Sequence, residues 1–320
     1  MNIDNKSLLQ TKNKDVDYLF FKASDDRLIP FKISGQGSPL LLIHGLGGEL
    51  KNWDKVAAKL SKTHTVLRLD QRGHGKSVVF DNITIKRIVD DVIELTDYVF
   101  GKQKFTIAGH SMGGITLLNY ISYVGCKKLN SVILMDTTPC IFSDKNWPYG
   151  LYYGKYTKDD YIKDLQLINK NFIAFYSYFV YRSATKYNPK RPPLTYDEFY
   201  GIAKAIDDKT KIKVADMANQ FKRLASTPPK KLRQVMQTYW QATPDYDTRK
   251  VLPKINVPVL IIYAQPGSLF TPDLAFWMKS QIKKAPVTMA EITNSSHVIV
   301  PFKANQVIAK TSQFLLKYTI

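Results

Sequence analysis

Short apolar runs alternate with amphipathic stretches over two separated parts of the chain. Tyr18–Phe21 and Leu28–Ile33 read as strands joined by a turn at Ser24–Arg27, where small and acidic residues favour chain reversal. Leu40–Ile43, Thr65–Leu69, Phe105–Ala108 and Val132–Met135 are brief, mainly apolar runs, the pattern of strands covered on both faces. Helical stretches lie between them: Trp53–Leu60, Ile83–Phe100 and Ser111–Val124. The second places Ile85, Ile88, Val89, Val92, Leu95 and Val99 on one face, with Asn82 as its expected cap. The alternation stops at Thr137. It resumes with a strand at Pro258–Tyr263, a helix near Pro272–Lys284, a strand at Val287–Ile292 and a helix from Lys303 to Tyr318. Residues 1–16 read as a loose polar arm.

Strands alternating with helices predict an α/β fold, a mostly parallel, doubly wound sheet with helices on both faces. On this reading residues 1–136 and 251–320 form the core, and residues 137–250 are an insertion. The insertion is rich in rings. Between Thr137 and Tyr200 lie 17 of the chain's 39 aromatic residues, more than twice the average density. They include Trp147, Tyr149, Tyr152, Tyr153, Phe172, Phe175, Tyr176, Phe179 and Tyr181. Such a segment is expected to be a helical cap. Its rings either build a small core of their own or line a substrate pocket, and the two readings are compatible.

Composition narrows the class. With 44% hydrophobic and 12% aromatic residues in 320, the chain can build a large core, which excludes disorder over most of its length. No run approaches the roughly 18 apolar residues of a membrane span. The polar N-terminus lacks the apolar stretch of a signal peptide, so a cytoplasmic protein is expected. Cys126 and Cys140, the two cysteines, have no metal-ligand spacing and read as packing thiols. The net charge of +19 is modestly concentrated, with +9 in residues 137–250, and it forms no long basic run. No nucleic-acid partner is expected. The excess can attract anionic substrates or support weak association with an anionic membrane surface. The oligomeric state is left open.

The chemistry begins at Ala108-Gly109-His110-Ser111-Met112-Gly113-Gly114. Here G-x-S-x-G follows a predicted strand and opens a predicted helix. A serine on so sharp a turn stands clear of the sheet, and Gly109 and Gly113 flank it where side chains would not fit. The helix start behind it offers free N–H groups to developing negative charge. His44-Gly45-Leu46-Gly47-Gly48 closes an earlier strand, so the N–H groups of Leu46 and Met112 are the expected oxyanion donors. A serine hydroxyl needs a base. Of the histidines at 44, 64, 74, 110 and 297, only His297 lies on a loop after the last strand, where it could reach Ser111.

Together HGLGG, DQRGHGKS, GHSMGG and a late histidine resemble the α/β-hydrolase fold superfamily, and more narrowly its capped esterases, lactonases and cofactor-free haloperoxidase-like members. The resemblance covers about residues 18–136 and 251–318. It implies a Ser–acid–His triad in that chain order, onto which Ser111 and His297 map. The acid departs from the pattern. It usually follows the seventh strand, but Ala264-Gln265-Pro266-Gly267-Ser268-Leu269 contains no carboxylate. Asp136, ending the sixth strand, is the better placed candidate. Asp273 is the alternative, although Thr271-Pro272-Asp273 reads as a helix start. A Ser–His dyad without an acid is the third option. The Asp70–Gly75 turn reads as a structural tie between loops.

The expected function is hydrolysis of carboxylic esters of apolar acyl or aromatic type through an acyl-enzyme. The partner is a small-molecule ester, and neither cofactor nor metal is called for. The alternatives are acyl transfer to another acceptor, C–C bond hydrolysis on the same triad, or a weakened hydrolase-like protein that binds a small ligand.

Overall fold

Hydrogen-bond pairing joins eight strands into one sheet in the computed structural model, which describes residues 18–77, 81–199, 201, 229–242 and 246–318. The strands are β1 (Leu19–Lys22), β2 (Leu28–Ser34), β3 (Ser38–Ile43), β4 (His64–Leu69), β5 (Phe105–His110), β6 (Leu129–Met135), β7 (Val259–Pro266) and β8 (Val287–Ser295). Their spatial order is β1-β2-β4-β3-β5-β6-β7-β8. β1 pairs antiparallel with β2, and β2 with β4; every other neighbour is parallel. This is the mostly parallel α/β sheet the pattern predicts. Several strands outrun their apolar cores. β7 and β8, for example, remain paired as far as Pro266 and Ser295, because backbone pairing continues past the point where the faces are covered.

Helices cover both faces. On one lie α1 (Asp54–Leu60) and α8 (Ala304–Tyr318), packing Val56, Leu60, Val307 and Phe314 against Leu40, Leu42, Ile133 and Ile262. On the other lie α2 (Ile85–Phe100), α3 (Met112–Val124) and α7 (Pro272–Gln281), which bury Val92, Leu117 and Leu274 against Leu41, Ile107 and Leu134. Alternate strand residues thus feed two separate cores. α2 starts two residues later than expected, and its cap is Thr84 rather than Asn82. Thr84 is extended, and its hydroxyl accepts the Arg87 N–H at 3.1 Å. Asn82 sits two residues earlier with φ +50°.

Between β6 and β7 the described chain carries the longer helices α4 (Lys158–Lys170), α5 (Phe172–Ala184) and α6 (Pro229–Gln241). Ile168, Phe175, Leu232, Met236 and Trp240 pack these three together. Val235 and Tyr239 of α6 also pack on Ile88 and Met112, which places α6 above the N-terminal ends of α2 and α3. Among the described residues no helix is long and apolar enough to cross a membrane.

Buried polar groups pin the turns after β3 and β4 to each other. Asp70 accepts the N–H groups of Leu50 (2.7 Å) and Lys76 (2.8 Å). His44 donates from Nδ1 to the Gly45 carbonyl (2.8 Å) and accepts at Nε2 from the Gln71 N–H (3.1 Å). His74 donates from Nδ1 to the Arg72 carbonyl (2.9 Å) and accepts at Nε2 from the Gly47 N–H (3.0 Å). Arg72, fully buried, pairs with Asp91 (2.5 Å) and Asp25 (2.7 Å).

Each of these histidines must stay neutral to accept at Nε2. Burial pushes His44 down to about 3 and His74 down to about 4. Their folded values lie below the unfolded value near 6.5. The stability they contribute is therefore present above pH 6.5 and is lost as pH falls toward 4, at on the order of 1 kcal/mol per pH unit for each. Asp70, which burial pushes up to about 6, works in the opposite direction below pH 6. Urea midpoints measured from pH 7 to pH 4.5 should fall, and fall less steeply in His74→Gln. An equally steep decline in that variant would remove His74 from the account.

Candidate active site

β5 ends in a sharp turn into α3. Ser111 has φ +55° and ψ −120°, a conformation that costs a residue with a side chain about 1–3 kcal/mol. Backbone packing holds it there. A methyl group on Gly109 would lie 2.2 Å from the Gly113 carbonyl oxygen, and one on Gly113 would lie 2.2 Å from the Ile43 carbonyl oxygen. Both glycines are needed for the close approach, as the motif implies. The Ser111 N–H donates to Met135 of β6 (3.0 Å), and Thr137 Oγ1 donates to the Ser111 carbonyl (2.8 Å).

His297 follows β8 and is buried. Its Nε2 lies 2.8 Å from Ser111 Oγ, and its Nδ1 lies 2.6 Å from Asp136 Oδ2. A carboxylate oxygen accepts, so Nδ1 carries the proton and Nε2 is free to accept from the serine hydroxyl. Asp136 is buried too. It has φ +42°, and its Oδ1 accepts the Ala264 N–H from β7 (3.2 Å). One oxygen is thus anchored to the neighbouring strand while the other faces the imidazole. Asp273 is elsewhere. It is exposed in the first turn of α7, where its charge faces the helix N-terminus.

The turn after β3 lies against the serine. A methyl group on Gly45 would be 3.1 Å from Ser111 Cβ and 3.3 Å from His110 Nδ1. Leu46 lines the space in front of Ser111, as does Met112, and Leu46 packs beside α6. Met112 is the first residue of α3, so its N–H has no partner within the helix. The Gly47 N–H is taken by His74 and the Gly48 N–H by the Gly45 carbonyl, which ties this turn down on both sides.

Three groups at the site make contacts that the sequence does not reveal, although His110 and Gln71 lie within the GHSMGG and DQRGHGKS motifs. His110 Nε2 donates to the His297 carbonyl (3.0 Å), and the two rings stack 5.0 Å apart. Burial, with His297 beside it, holds His110 down to about 4, so the ring is neutral. Gln71 joins α3 to the β3 turn by accepting from Thr116 Oγ1 (2.8 Å) and donating to the His44 carbonyl (2.8 Å). Ser268 Oγ accepts the His297 N–H (2.8 Å). His110 was in view as the neighbour of Ser111; the others depend on contacts between distant segments.

Ser111 stands between two cavities. One, of about 80 Å³, is apolar and is lined by Leu46, Ile88, Met112, Phe179, Trp240 and Phe270. The other, of about 370 Å³, takes in His297, Lys51, Asn52, Tyr176 and Ser183. Of the inserted aromatics singled out from the sequence, Tyr176 and Phe179 reach these cavities. Trp147, Tyr152 and Phe175 are instead buried in hydrophobic clusters. Among the described residues no group of three or more His, Cys, Asp or Glu side chains could hold a metal ion.

A family model described as the alpha/beta hydrolase fold matches residues 38–304. A non-heme chloroperoxidase from Kitasatospora aureofaciens is 35% identical over 123 residues, 36% of this chain and 43% of that protein. An esterase from Escherichia coli is 28% identical over 102 residues, 32% of this chain and 39% of that protein. The chain spans about a quarter to a half of the length of the curated relatives it matches. Among solved structures, an esterase from Exiguobacterium antarcticum superposes with a TM-score of 0.72 at 19% identity, covering 93% of this chain and 98% of that one. A bromoperoxidase from Bacillus anthracis gives 0.70 at 20% identity, covering 91% and 96%. At such identities the structural likeness concerns the fold. With most of its length matched by the family model, the chain belongs to the alpha/beta hydrolase fold family.

Proposed function

We propose that the protein is a serine hydrolase of carboxylic esters with small apolar acyl groups. The observation that carries this reading is the line Ser111 Oγ–His297 Nε2–His297 Nδ1–Asp136 Oδ2, at 2.8 Å and 2.6 Å. Ser111 attacks the ester carbonyl while His297 takes its proton. The imidazolium that forms is stabilised by Asp136. The N–H groups of Leu46 and Met112 bind the oxyanion. Collapse of the tetrahedral intermediate expels the alcohol, which takes the proton from His297. Water activated by the same imidazole then releases the acid and frees Ser111.

Proton delivery assigns the two cavities. The leaving oxygen must lie beside His297 Nε2, so the alcohol occupies the wider, more polar cavity that His297 lines. The acyl group is left with the apolar one. Its volume of about 80 Å³ is small, which suits an acyl chain of a few carbons. The helices between β6 and β7 act as the cap over both. The alternative of a weakened ligand-binding protein drew on the lack of a carboxylate after β7. A carboxylate 2.6 Å from His297 removes that motive and supports hydrolysis.

Ser111→Ala should abolish hydrolysis of 4-nitrophenyl butanoate and leave the melting temperature within a few degrees; retained turnover would refute the nucleophile. Asp136→Asn should cut kcat by up to about 10⁴, since its amide would turn a donor toward His297 Nδ1 and force the wrong tautomer. Its Oδ1 can still accept from Ala264, so circular dichroism should be unchanged. A loss below tenfold would point to a Ser–His dyad. On an ester panel, kcat/KM should rise about fourfold per methylene from acetate to butanoate, the effect of burying about 0.8 kcal/mol each, and fall for dodecanoate. A maximum at dodecanoate would overturn the acyl assignment.

A further inference from the structure

The turn after β7, where the family pattern would put a carboxylate, holds Ser268, and its side chain is fully buried. Its hydroxyl does two things. It accepts the backbone N–H of His297 at 2.8 Å and donates to the backbone carbonyl of Ser183 at 2.8 Å. The same His297 N–H lies 3.2 Å from that carbonyl. Ser183 belongs to the last turn of α5, whose terminal carbonyls have no partners within the helix. One of these carbonyls is therefore satisfied by the residue that carries the imidazole. The grip extends along the turn. Tyr187 N–H donates to the Gly267 carbonyl (2.9 Å), Tyr153 N–H donates to the Leu269 carbonyl (3.0 Å), and Lys186 Nζ reaches Asn294 Oδ1 at the end of β8 (2.5 Å).

α5 also faces the substrate space. Tyr176, Phe179 and Val180 line the cavity on the His297 side of Ser111, and Phe179 lines the apolar one as well. One helix thus contacts the space a substrate would fill and, one turn later, holds the backbone of the base. We propose that Ser268 is a positioning residue, whose hydroxyl ties the seating of α5 over the substrate cavities to the placement of the His297 imidazole. The proposal rests on the serine-hydrolase reading above.

The physical argument is one of tolerance. The His297 ring meets Ser111 and Asp136 at 2.8 Å and 2.6 Å at the same time. Those contacts survive only small movements of the backbone, and a misplacement of about 1 Å can cost two orders of magnitude in rate. On the carbonyl side the His297 backbone is held by His110 Nε2 at 3.0 Å. On the amide side Ser268 makes the shorter of the two contacts. Without its hydroxyl, His297 keeps only the 3.2 Å approach to Ser183, and a shift of α5 reaches the base directly. With Asp136 at the end of β6 already facing Nδ1, this turn needs no carboxylate aimed at the ring and is free for the role.

The test uses the full chain with Ser268→Ala and Ser268→Thr. Turnover of 4-nitrophenyl butanoate is measured alongside long-range ¹H–¹⁵N spectra of the histidine ring nitrogens, with His297 assigned through His297→Gln. In Ser268→Ala, kcat should fall about tenfold with KM within about twofold, the signature of a misplaced base rather than lost binding. The single-tautomer pattern of His297, with Nδ1 protonated, should broaden or average. Ser268→Thr, which keeps the hydroxyl, should restore both readouts. If the alanine variant does not fold, Ser268→Cys keeps the volume, weakens both hydrogen bonds and should give the same changes at smaller amplitude. A lower melting temperature with kcat and the His297 spectrum unchanged would overturn the proposal and leave Ser268 a packing residue. Should Ser111→Ala still hydrolyse the ester, the hydrolase reading fails, and the ring spectrum alone still decides the coupling.

Discussion

Backbone meeting backbone at the end of β5 is the constraint on which the rest of the molecule depends. Ser111 occupies a strained conformation because the segments around it cannot move apart: Gly109 lies on Gly113, and Gly113 lies on the carbonyl of Ile43. These contacts need adjacent parallel strands with ends at one level, which the pairing of β5 with β3 and β6 supplies. The strain is small beside the burial of Ile107, Leu117 and Leu134 in the layers on either side. In return the hydroxyl stands beyond the sheet edge, and the start of α3 lies directly behind it.

The polar groups gathered around Ser111 arrive at the same sheet edge from different strands. β3 brings the Gly45-Leu46 turn, β6 brings Asp136 and β8 brings His297. Each is held by buried hydrogen bonds rather than by loop stiffness. His44 and His74 serve this end as neutral rings, each with one donor and one acceptor nitrogen in use. Protonation would replace the acceptor with a second donor and open the turn. Burial keeps that from happening at neutral pH. The conspicuous Asp70–Gly75 turn is thus scaffolding, and its polar residues order the backbone beside Ser111.

The inserted helices divide their aromatic residues between two tasks. Phe175 and Trp240 join the contacts among α4, α5 and α6, and Tyr152 and Tyr178 pack by Arg182, whose guanidinium lies 4.3 Å from the Tyr152 ring. Phe179 and Tyr176 face the cavities at Ser111. Helical position accounts for part of the split: Tyr176 and Val180, one turn apart, share a face that meets a cavity, whereas Phe179 stacks on Phe175 one turn earlier and serves both the helix contacts and the cavities. A dense aromatic stretch therefore indicated that the segment folds, while the register of each helix decides which rings reach the site.

The sequence alone determined whatever rests on local chain geometry. Alternation of apolar runs and amphipathic stretches sufficed for the α/β sheet. G-x-S-x-G between a strand and a helix singled out Ser111, because the turn has a steric requirement that only those glycines meet. The position of His297 after the last strand marked it among five histidines. For the carboxylate the sequence favoured Asp136 at a strand end over Asp273 at a helix start and left a dyad without an acid open, since no local pattern shows which side chain meets a distant histidine. Tertiary structure decided between them, through β6 lying beside β7 and the His297 loop lying over both, which puts Asp136 2.6 Å from the ring. The same holds for Ser268, Gln71 and the His110–His297 contact. Each joins residues between 27 and 187 positions apart, and hydrogen bonds of that span leave no periodicity or motif in the chain, because the sheet order that creates them is a property of the folded whole.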